Sequence, residues 1–491
     1  MPLDLELSDL NDLDRIRDAL SRNDPRGQFT ALSMDRLTIA DDAVDGLIAA
    51  VERQLARAGR PAARDTRVRL VADAVTIRRD GRDLKADVFA RLSERFAAER
   101  VTLDDGQPAL HADEAMQDRA AELCVGADCI VSVGGGTITD IAKIAALRNG
   151  VPVHVVVQTA ASVDGFTDNF SVVLQKGVKR TLLTRWPDEV LTDGRVVAGA
   201  PPALSAAGLG EMLSMFVAPG DWLLAFRLGQ DDSYTPVLVE MLAVCGAGIR
   251  DWSVGVGRAE VDGLRRLASG LAMRGIVTGV GGTSASLSGM EHLVSHMLDM
   301  HGAETGEPTG LHGAQVGVAS VIASAAWEHF CARMEAEPID PARLFGDAGV
   351  WEDRVRTAFA GLDRTGRLGG QCWGHYRLKL AKWHANRPAV ERFFADWPAI
   401  RDARDAVVLK ADAVASCLHD GRAPKRFGDL DPAPSERLIR WAALNCQFMR
   451  ERFTVADLLT FAGWWDEEGV TAVFDRVERA CAAAEAGARA A

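Results

Sequence analysis

The stretch Cys129-Ile130-Val131-Ser132-Val133-Gly134-Gly135-Gly136-Thr137-Ile138-Thr139-Asp140-Ile141-Ala142-Lys143 decides the fold. A five-residue run, apolar but for Ser132, meets three glycines, and a helix-forming segment begins at once. Glycine lets the backbone approach a ligand closely. A helix start offers unsatisfied N–H groups and partial positive charge, which suit a pyrophosphate. The spacing is not G-x-G-x-x-G, which weakens a standard Rossmann reading. A plain tight turn reads equally well, with Thr137 as N-cap and Asp140 completing a capping-box-like start. Lys143 taken alone reads as a solvated helix residue.

Similar short runs lie on either side, Val68-Arg69-Leu70-Val71-Ala72 and Val153-His154-Val155-Val156-Val157. Strands alternating with helical patterns predict a parallel sheet covered on both faces, so residues 35–199 read as an open α/β domain. After Ala200-Pro201-Pro202 the β-branched runs give way to long Ala/Leu/Arg/Glu stretches, and residues 200–491 read as all-helical. Residues 1–34 form an acidic, amphipathic extension. A charged, Trp-bearing helical segment near 331–440 reads as an insertion without a chemical motif. Gln158-Thr159-Ala160-Ala161-Ser162-Val163-Asp164-Gly165-Phe166-Thr167 follows a strand, at the end of a parallel sheet where ligands bind; an Asx-type turn on Asp164 is the simpler reading of that loop alone.

Four of the ten histidines, His292, His296, His301 and His312, fall close together. His292 and His296 are i and i+4 and share a helix face. His312 opens another helical run after a Gly/Pro-rich turn and could return beside His292. Two histidines and a carboxylate leave an open position on a zinc-type ion, the catalytic pattern. Glu211, in the apolar, glycine-bearing start Ala207-Gly208-Leu209-Gly210-Glu211, is the attractive third ligand. Any one histidine alone reads as an ordinary hydrogen-bonded residue; the cluster favours a metal.

Composition narrows the function classes. With 56 basic and 69 acidic residues the net charge is −13, unsuited to nucleic acid or an anionic membrane surface. No uninterrupted apolar run is long enough to span a bilayer. The start lacks the basic and apolar segments of a secretory signal. The eight cysteines show no C-x-x-C pair and read as reduced thiols, so a cytoplasmic protein is expected.

Together these motifs resemble one superfamily, that of the iron-containing alcohol dehydrogenases, the metal-dependent polyol dehydrogenases and 3-dehydroquinate synthase. The chain is most similar to its sn-glycerol-1-phosphate dehydrogenase group, on Ser162-Val163-Asp164-Gly165-Phe166-Thr167, Ser288-Gly289-Met290-Glu291-His292-Leu293-Val294-Ser295-His296 and Arg450-Glu451-Arg452-Phe453-Thr454-Val455-Ala456-Asp457-Leu458-Leu459. The resemblance spans roughly residues 35–325 and 440–470.

The resemblance implies a dehydroquinate synthase-like architecture: an α/β dinucleotide-binding domain, an all-α domain and an active site in the cleft between them. It implies NAD(H) or NADP(H) at Gly134, Gly135 and Gly136, with Thr137 and Asp140 of the same turn and with Thr159 and Ser162. Asp73 matches a position near the adenosine ribose, where a carboxylate accepts from a 2′-hydroxyl and repels a 2′-phosphate, favouring NAD(H). Glu211, His292 and His312 match the ligands of one divalent ion, zinc first, with nickel or iron as alternatives. Asp164 and His296 match positions near the reacting centre. The implied reaction interconverts a small polyol, or its phosphate, and the ketone, most simply glycerol 1-phosphate and dihydroxyacetone phosphate, in a homo-oligomer. Lys176, Lys179, Arg180 and Arg185 are candidate phosphate contacts, or a solvated basic hairpin edge.

Departures from the group are Glu211 in place of its usual aspartate, as in the dehydroquinate synthases, and Ser214–Pro219 in place of a lysine-bearing stretch. A synthase-type cyclase or lyase, and a non-catalytic binding descendant, are the alternatives.

Overall fold

The computed structural model describes residues 3–107, 110–175, 178–337, 339–346 and 349–490. They form two compact units. The first comprises Met1–Gly208 and Glu240–Gly282; the second comprises Leu209–Val239 and Thr283–Ala491.

The first unit is built on a six-stranded, all-parallel sheet: β1 (Arg36–Ala40), β2 (Arg67–Asp73), β3 (Ala97–Leu103), β4 (Cys129–Gly134), β5 (Val153–Gln158) and β6 (Glu189–Asp193). The strand order is β1-β6-β5-β4-β2-β3. Every residue of β4, β5 and β6 is buried, because helices cover both faces. Alternation along β4 divides its side chains: Val131 and Val133 join Leu47, Val51 and Val155 in one core cluster, whereas Ile130 joins Ile138, Ile141 and Ala145 in another.

The order matters for ligand binding. From β2 the chain continues to the edge strand β3; from β4 it continues the other way, to β5. The carboxyl ends of β2 and β4 therefore flank the point where the winding reverses, the place where open α/β sheets bind ligands. Asp73 ends β2 and Gly134 ends β4.

The sequence reading set residues 1–34 apart as an extension and divided the rest after residue 199. The contacts instead group Glu240–Gly282 with the sheet-bearing unit. Its long helix Val261–Gly281 receives Thr30 N–H at Val280 O (2.8 Å), and Arg265 reaches Asp41 (2.7 Å). The N-terminal helix Leu13–Arg22 also belongs to this unit, its Arg17 donating to Leu32 O (3.0 Å). The second unit is helical throughout, and so is most of the 331–440 segment, including Val350–Ala360, Arg367–Ala385 and Ala411–Asp420. Seven of the eight cysteines are buried. Among the described residues, no helix is long and apolar enough to cross a membrane.

Candidate active site

In the first unit, helix α1 (Gly136–Arg148) follows β4 with Gly135 as N-cap. This corrects the expectation that Thr137 caps it. Gly135 has no side chain to cap this helix, so among the described residues no N-cap carboxylate or hydroxyl takes its first N–H groups. A Cβ on Gly135 would enter open space, which is room for a ligand's approach, whereas a Cβ on Gly136 would strike Val163 Cγ2 at 2.8 Å. The loop after β5 thus lies on the glycine turn, and Thr159 N–H donates to Gly134 O (3.3 Å). Gly134, Gly135, Gly136, Thr159 and Ser162 are brought into one region of this unit.

Two further expectations for α1 are corrected. Asp140 completes no capping box: its carboxylate accepts from Val172 N–H (3.1 Å), and burial pushes its pKa up to about 7. Lys143 is fully buried rather than solvated. Its ammonium donates to Gly165 O (2.5 Å), Asp168 Oδ1 (2.6 Å) and Phe170 O (2.7 Å), closing the loop that begins at Gln158.

Asp73 is mostly buried and forms an ion pair with the buried Lys85, which also donates to Val75 O (2.6 Å). The Asp73 carboxylate is therefore partly neutralised from within. Asp164 Oδ2 accepts from Arg274 Nε (3.2 Å) and lies 3.2 Å from Arg274 Nη2 in an ion pair. Arg274 is completely buried in the helix Val261–Gly281. Thr167 Oγ1 donates to Ala272 O (2.8 Å) on the same helix, and a Cβ on Gly275 would lie 2.4 Å from Asp164 O. Sequence reasoning missed Arg274. Its signal was an arginine inside Leu271-Ala272-Met273-Arg274-Gly275-Ile276-Val277, a run that must supply it with an anion.

Arg185, a candidate phosphate contact, is instead committed to Asp188 (2.7 Å) and Val151 O (2.5 Å). Arg180 is exposed. Lys176 and the Lys179 side chain lie outside the described residues.

In the second unit, Glu211, His292 and His312 offer one ligand atom each, all within 4.8 Å of one another. Glu211 sits near the end of helix α2 (Pro202–Leu213); His292 lies in the first turn of α3 (Met290–Thr305); His312 begins α4 (His312–Ala336). Close helix crossing brings them together. A Cβ on Gly210 would lie 2.1 Å from Gly313 O, and one on Gly317 would lie 2.7 Å from Gly210 Cα. Only glycines permit this approach of α2 and α4.

His292 Nε2 is 3.3 Å from Glu211 Oε1, and its Nδ1 is 2.8 Å from Glu291 Oε1. Burial opposes charge on this ring, but Glu211 and Glu291 outweigh it and push its pKa up to about 9. Such a ring, backed by a carboxylate at Nδ1, is the usual form of a metal-bound histidine once its Nε2 proton is displaced. The donor set of one carboxylate and two imidazoles, Glu211 and His292 buried and His312 half-buried, fits a divalent ion of the zinc type.

The rings of His292 and His312 are 5.5 Å apart, and His296 stacks on His312 at 5.4 Å with a 10° interplanar angle. His301 lies outside this group, 3.8 Å from Glu307. Arg450 Nη2 lies 3.0 Å from His296 Nδ1. A guanidinium can only donate, so Nδ1 accepts and the His296 proton is on Nε2.

A buried carboxylate braces the start of α3. Asp221 accepts from Met290 N–H (2.8 Å) and from Val455 N–H (2.9 Å), the latter at the start of helix Val455–Phe461. Burial, and then neighbouring Glu291, push its pKa up to about 8. The motif around residues 450–459 thereby supports the histidine helix. Lys379, from the 331–440 segment, is fully buried and donates to Asp457 (2.8 Å) and Gln447 O (2.7 Å), fastening that segment to the same motif.

Comparison with known proteins bears on these features. Residues 45–201 match the iron-containing alcohol dehydrogenase family. A glycerol-1-phosphate dehydrogenase (NAD(P)+) of Bacillus subtilis (strain 168) is 30% identical over 302 residues, covering 59% of this chain and 71% of the relative. One from Geobacillus thermodenitrificans is 30% identical over 260 residues, covering 52% and 63%. The chain thus spans about three fifths of the length of the first curated relatives it matches. In fold, the chain is similar to maleylacetate reductase from Agrobacterium tumefaciens, with a TM-score of 0.53 and 17% identity over 93% of this chain and 98% of that one. A probable glycerol dehydrogenase from Sinorhizobium meliloti 1021 gives 0.53 and 16% over 92% and 98%.

Proposed function

The chain belongs to the iron-containing alcohol dehydrogenase family, on the glycerol-1-phosphate dehydrogenase-like side of it, and from that premise we propose that it is a metal-dependent NAD(H)-linked dehydrogenase interconverting a small polyol phosphate, sn-glycerol 1-phosphate, and its ketone, dihydroxyacetone phosphate. The observation that carries this reading is the convergence of Glu211, His292 and His312, each from a different helix, within 4.8 Å.

Bound at their respective sites, a divalent ion would supply Lewis-acid polarisation of a substrate oxygen, and a nicotinamide would supply or accept the hydride. The chain's own residues do the rest. Gly134, Gly135 and Gly136 and the uncapped start of α1 cradle the pyrophosphate. Asp73 accepts from the adenosine ribose hydroxyls and disfavours a 2′-phosphate, the basis for preferring NAD(H). Its pairing with Lys85 softens that repulsion, so NADP(H) is discriminated against rather than excluded. Arg274 holds Asp164, and through it the loop after β5, in one conformation. In the reducing direction the substrate oxygen gains a proton; the Nε2–H of His296, oriented by Arg450 at Nδ1, hydrogen-bonds that oxygen and passes it a proton that solvent replaces at the ring, so the net proton comes from water.

The test is metal analysis of the purified protein with an assay of NADH oxidation against dihydroxyacetone phosphate, dihydroxyacetone and glyceraldehyde phosphate. Bound metal and turnover fastest with dihydroxyacetone phosphate are expected. Absence of turnover by the metal-loaded enzyme with all three would contradict the proposal. Glu211 is the residue that keeps the synthase-type cyclase in view, and a cyclase would leave NADH unconsumed.

A further inference from the structure

We infer that Gln315 and Ser295 form a one-directional hydrogen-bond relay that holds His312 with its proton on Nδ1, so that Nε2 presents a lone pair to a divalent cation. The inference rests on the metal reading above and assigns positioning roles to two buried side chains that no part of that reading used.

The direction of the relay follows from one fixed end. The Gly310 carbonyl can only accept, so the group 3.2 Å from it on Gln315 must be the amide nitrogen. The other side of the amide, Oε1, can only accept, and Ser295 Oγ lies 2.8 Å from it. The single hydroxyl proton of Ser295 is thereby committed to Gln315. Ser295 Oγ can then only accept from the remaining neighbour, His312 Nδ1, at 3.0 Å. His312 must therefore be protonated on Nδ1. In a neutral imidazole that leaves Nε2 bare, the form that binds a metal. Asp299 Oδ2, 3.7 Å from the same nitrogen, favours a proton there as well.

The relay is built to stay fixed. Ser295 is fully buried and Gln315 is 1% exposed. Ser295 is on α3 and Gln315 on α4, so the relay also ties together the two helices that carry the histidines. The two ligands are oriented by different means. At His292 the partner is the carboxylate of Glu291, which would fix Nδ1–H by charge. At His312 a neutral serine is ambiguous by itself, since a hydroxyl can donate or accept. Gln315 removes the ambiguity from one step further out.

The relay predicts a contrast between two substitutions. Gln315→Met keeps the volume and removes the acceptor, freeing the Ser295 hydroxyl to donate to Nδ1 and shift the His312 proton to Nε2. Gln315→Glu keeps an oxygen that accepts from Ser295, and, when protonated, its hydroxyl still donates to Gly310 O. Competition of wild type and both variants against a chromogenic chelator, with Zn2+ alone and with Co2+ alone, reads the outcome. The Co2+ ligand-field spectrum reports coordination independently of turnover. We expect one equivalent bound by wild type, ~10–100-fold weaker binding by Gln315→Met, and Gln315→Glu lying closer to wild type than to the methionine variant. Should Gln315→Met not fold, Ser295→Ala interrupts the same relay and is read in the same way. Wild-type affinity in Gln315→Met overturns the relay while leaving the metal site standing. So does Gln315→Glu binding more weakly than Gln315→Met, the order a pure packing role would give. No metal bound by wild type overturns the metal reading itself.

Discussion

Gly210→Ala tests whether the crossing of α2 and α4 sets the metal geometry. The added Cβ would lie 2.1 Å from Gly313 O, 3.1 Å from Gly313 C and 3.1 Å from Gly317 Cα. All three are backbone atoms, so no flexible side chain can yield; the helices must part by about 1 Å before contact becomes ordinary. Overpacking of this kind costs about 1–3 kcal/mol of stability. Glu211 is the next residue, and His312 adjoins the glycine that is struck. Metal–ligand distances tolerate only about 0.2 Å, so a shift of that size removes one ligand from the set. Zn2+ affinity, by chelator competition, should fall at least ~10-fold while circular dichroism shows a folded helical protein. Gly374→Ala is the control: its Cβ meets nothing within 4 Å on the helix Arg367–Ala385, and it should stabilise by about 0.5–1 kcal/mol with metal binding unchanged. Undiminished Zn2+ affinity in Gly210→Ala would refute the argument that glycine at the crossing sets the site.

Asp73→Asn should raise the ratio of kcat/KM for NADPH to that for NADH by about 10-fold or more, a difference of at least ~1.4 kcal/mol; an unchanged ratio would remove Asp73 from cofactor choice. Arg274→Met leaves Asp164 without its buried counter-charge and should cost about 3–5 kcal/mol in the first unit, seen as a lower urea midpoint and weaker NADH binding by fluorescence titration. In the metal-free protein the His292 pKa of about 9 lies above neutral pH, so Zn2+ must displace a proton. Apparent affinity should therefore rise with pH up to about 9, and calorimetry in buffers of different ionisation enthalpy should show about one proton released at pH 7.5; release of none would place His292 outside the ligand set.

Much of the site was legible because its signals are local. The run from Cys129 to Lys143 shows strand, glycine turn and helix in order, and parallel strands buried on both faces read as continuous apolar runs. The i, i+4 pair His292 and His296 needs only helical periodicity to share a face. What stayed hidden depends on partners distant in the chain. Periodicity showed Val261–Gly281 to be helical but not which core it packs against. Lys143 looked solvated because two of its three acceptors are backbone carbonyls more than 20 residues away, at Gly165 and Phe170. Arg450 orients His296 across 154 residues, a separation no window of sequence spans. Gly210, Gly313 and Gly317 were visible as glycines, yet their purpose appears only when two helices cross.

The central claim is that Glu211, His292 and His312 ligate one divalent ion. Anomalous diffraction at the absorption edge of the metal found in the purified protein tests it most directly. The account predicts one peak about 2.0–2.2 Å from a Glu211 oxygen, a His292 nitrogen and a His312 nitrogen. A peak elsewhere, or a peak touching only one of the three, would contradict it.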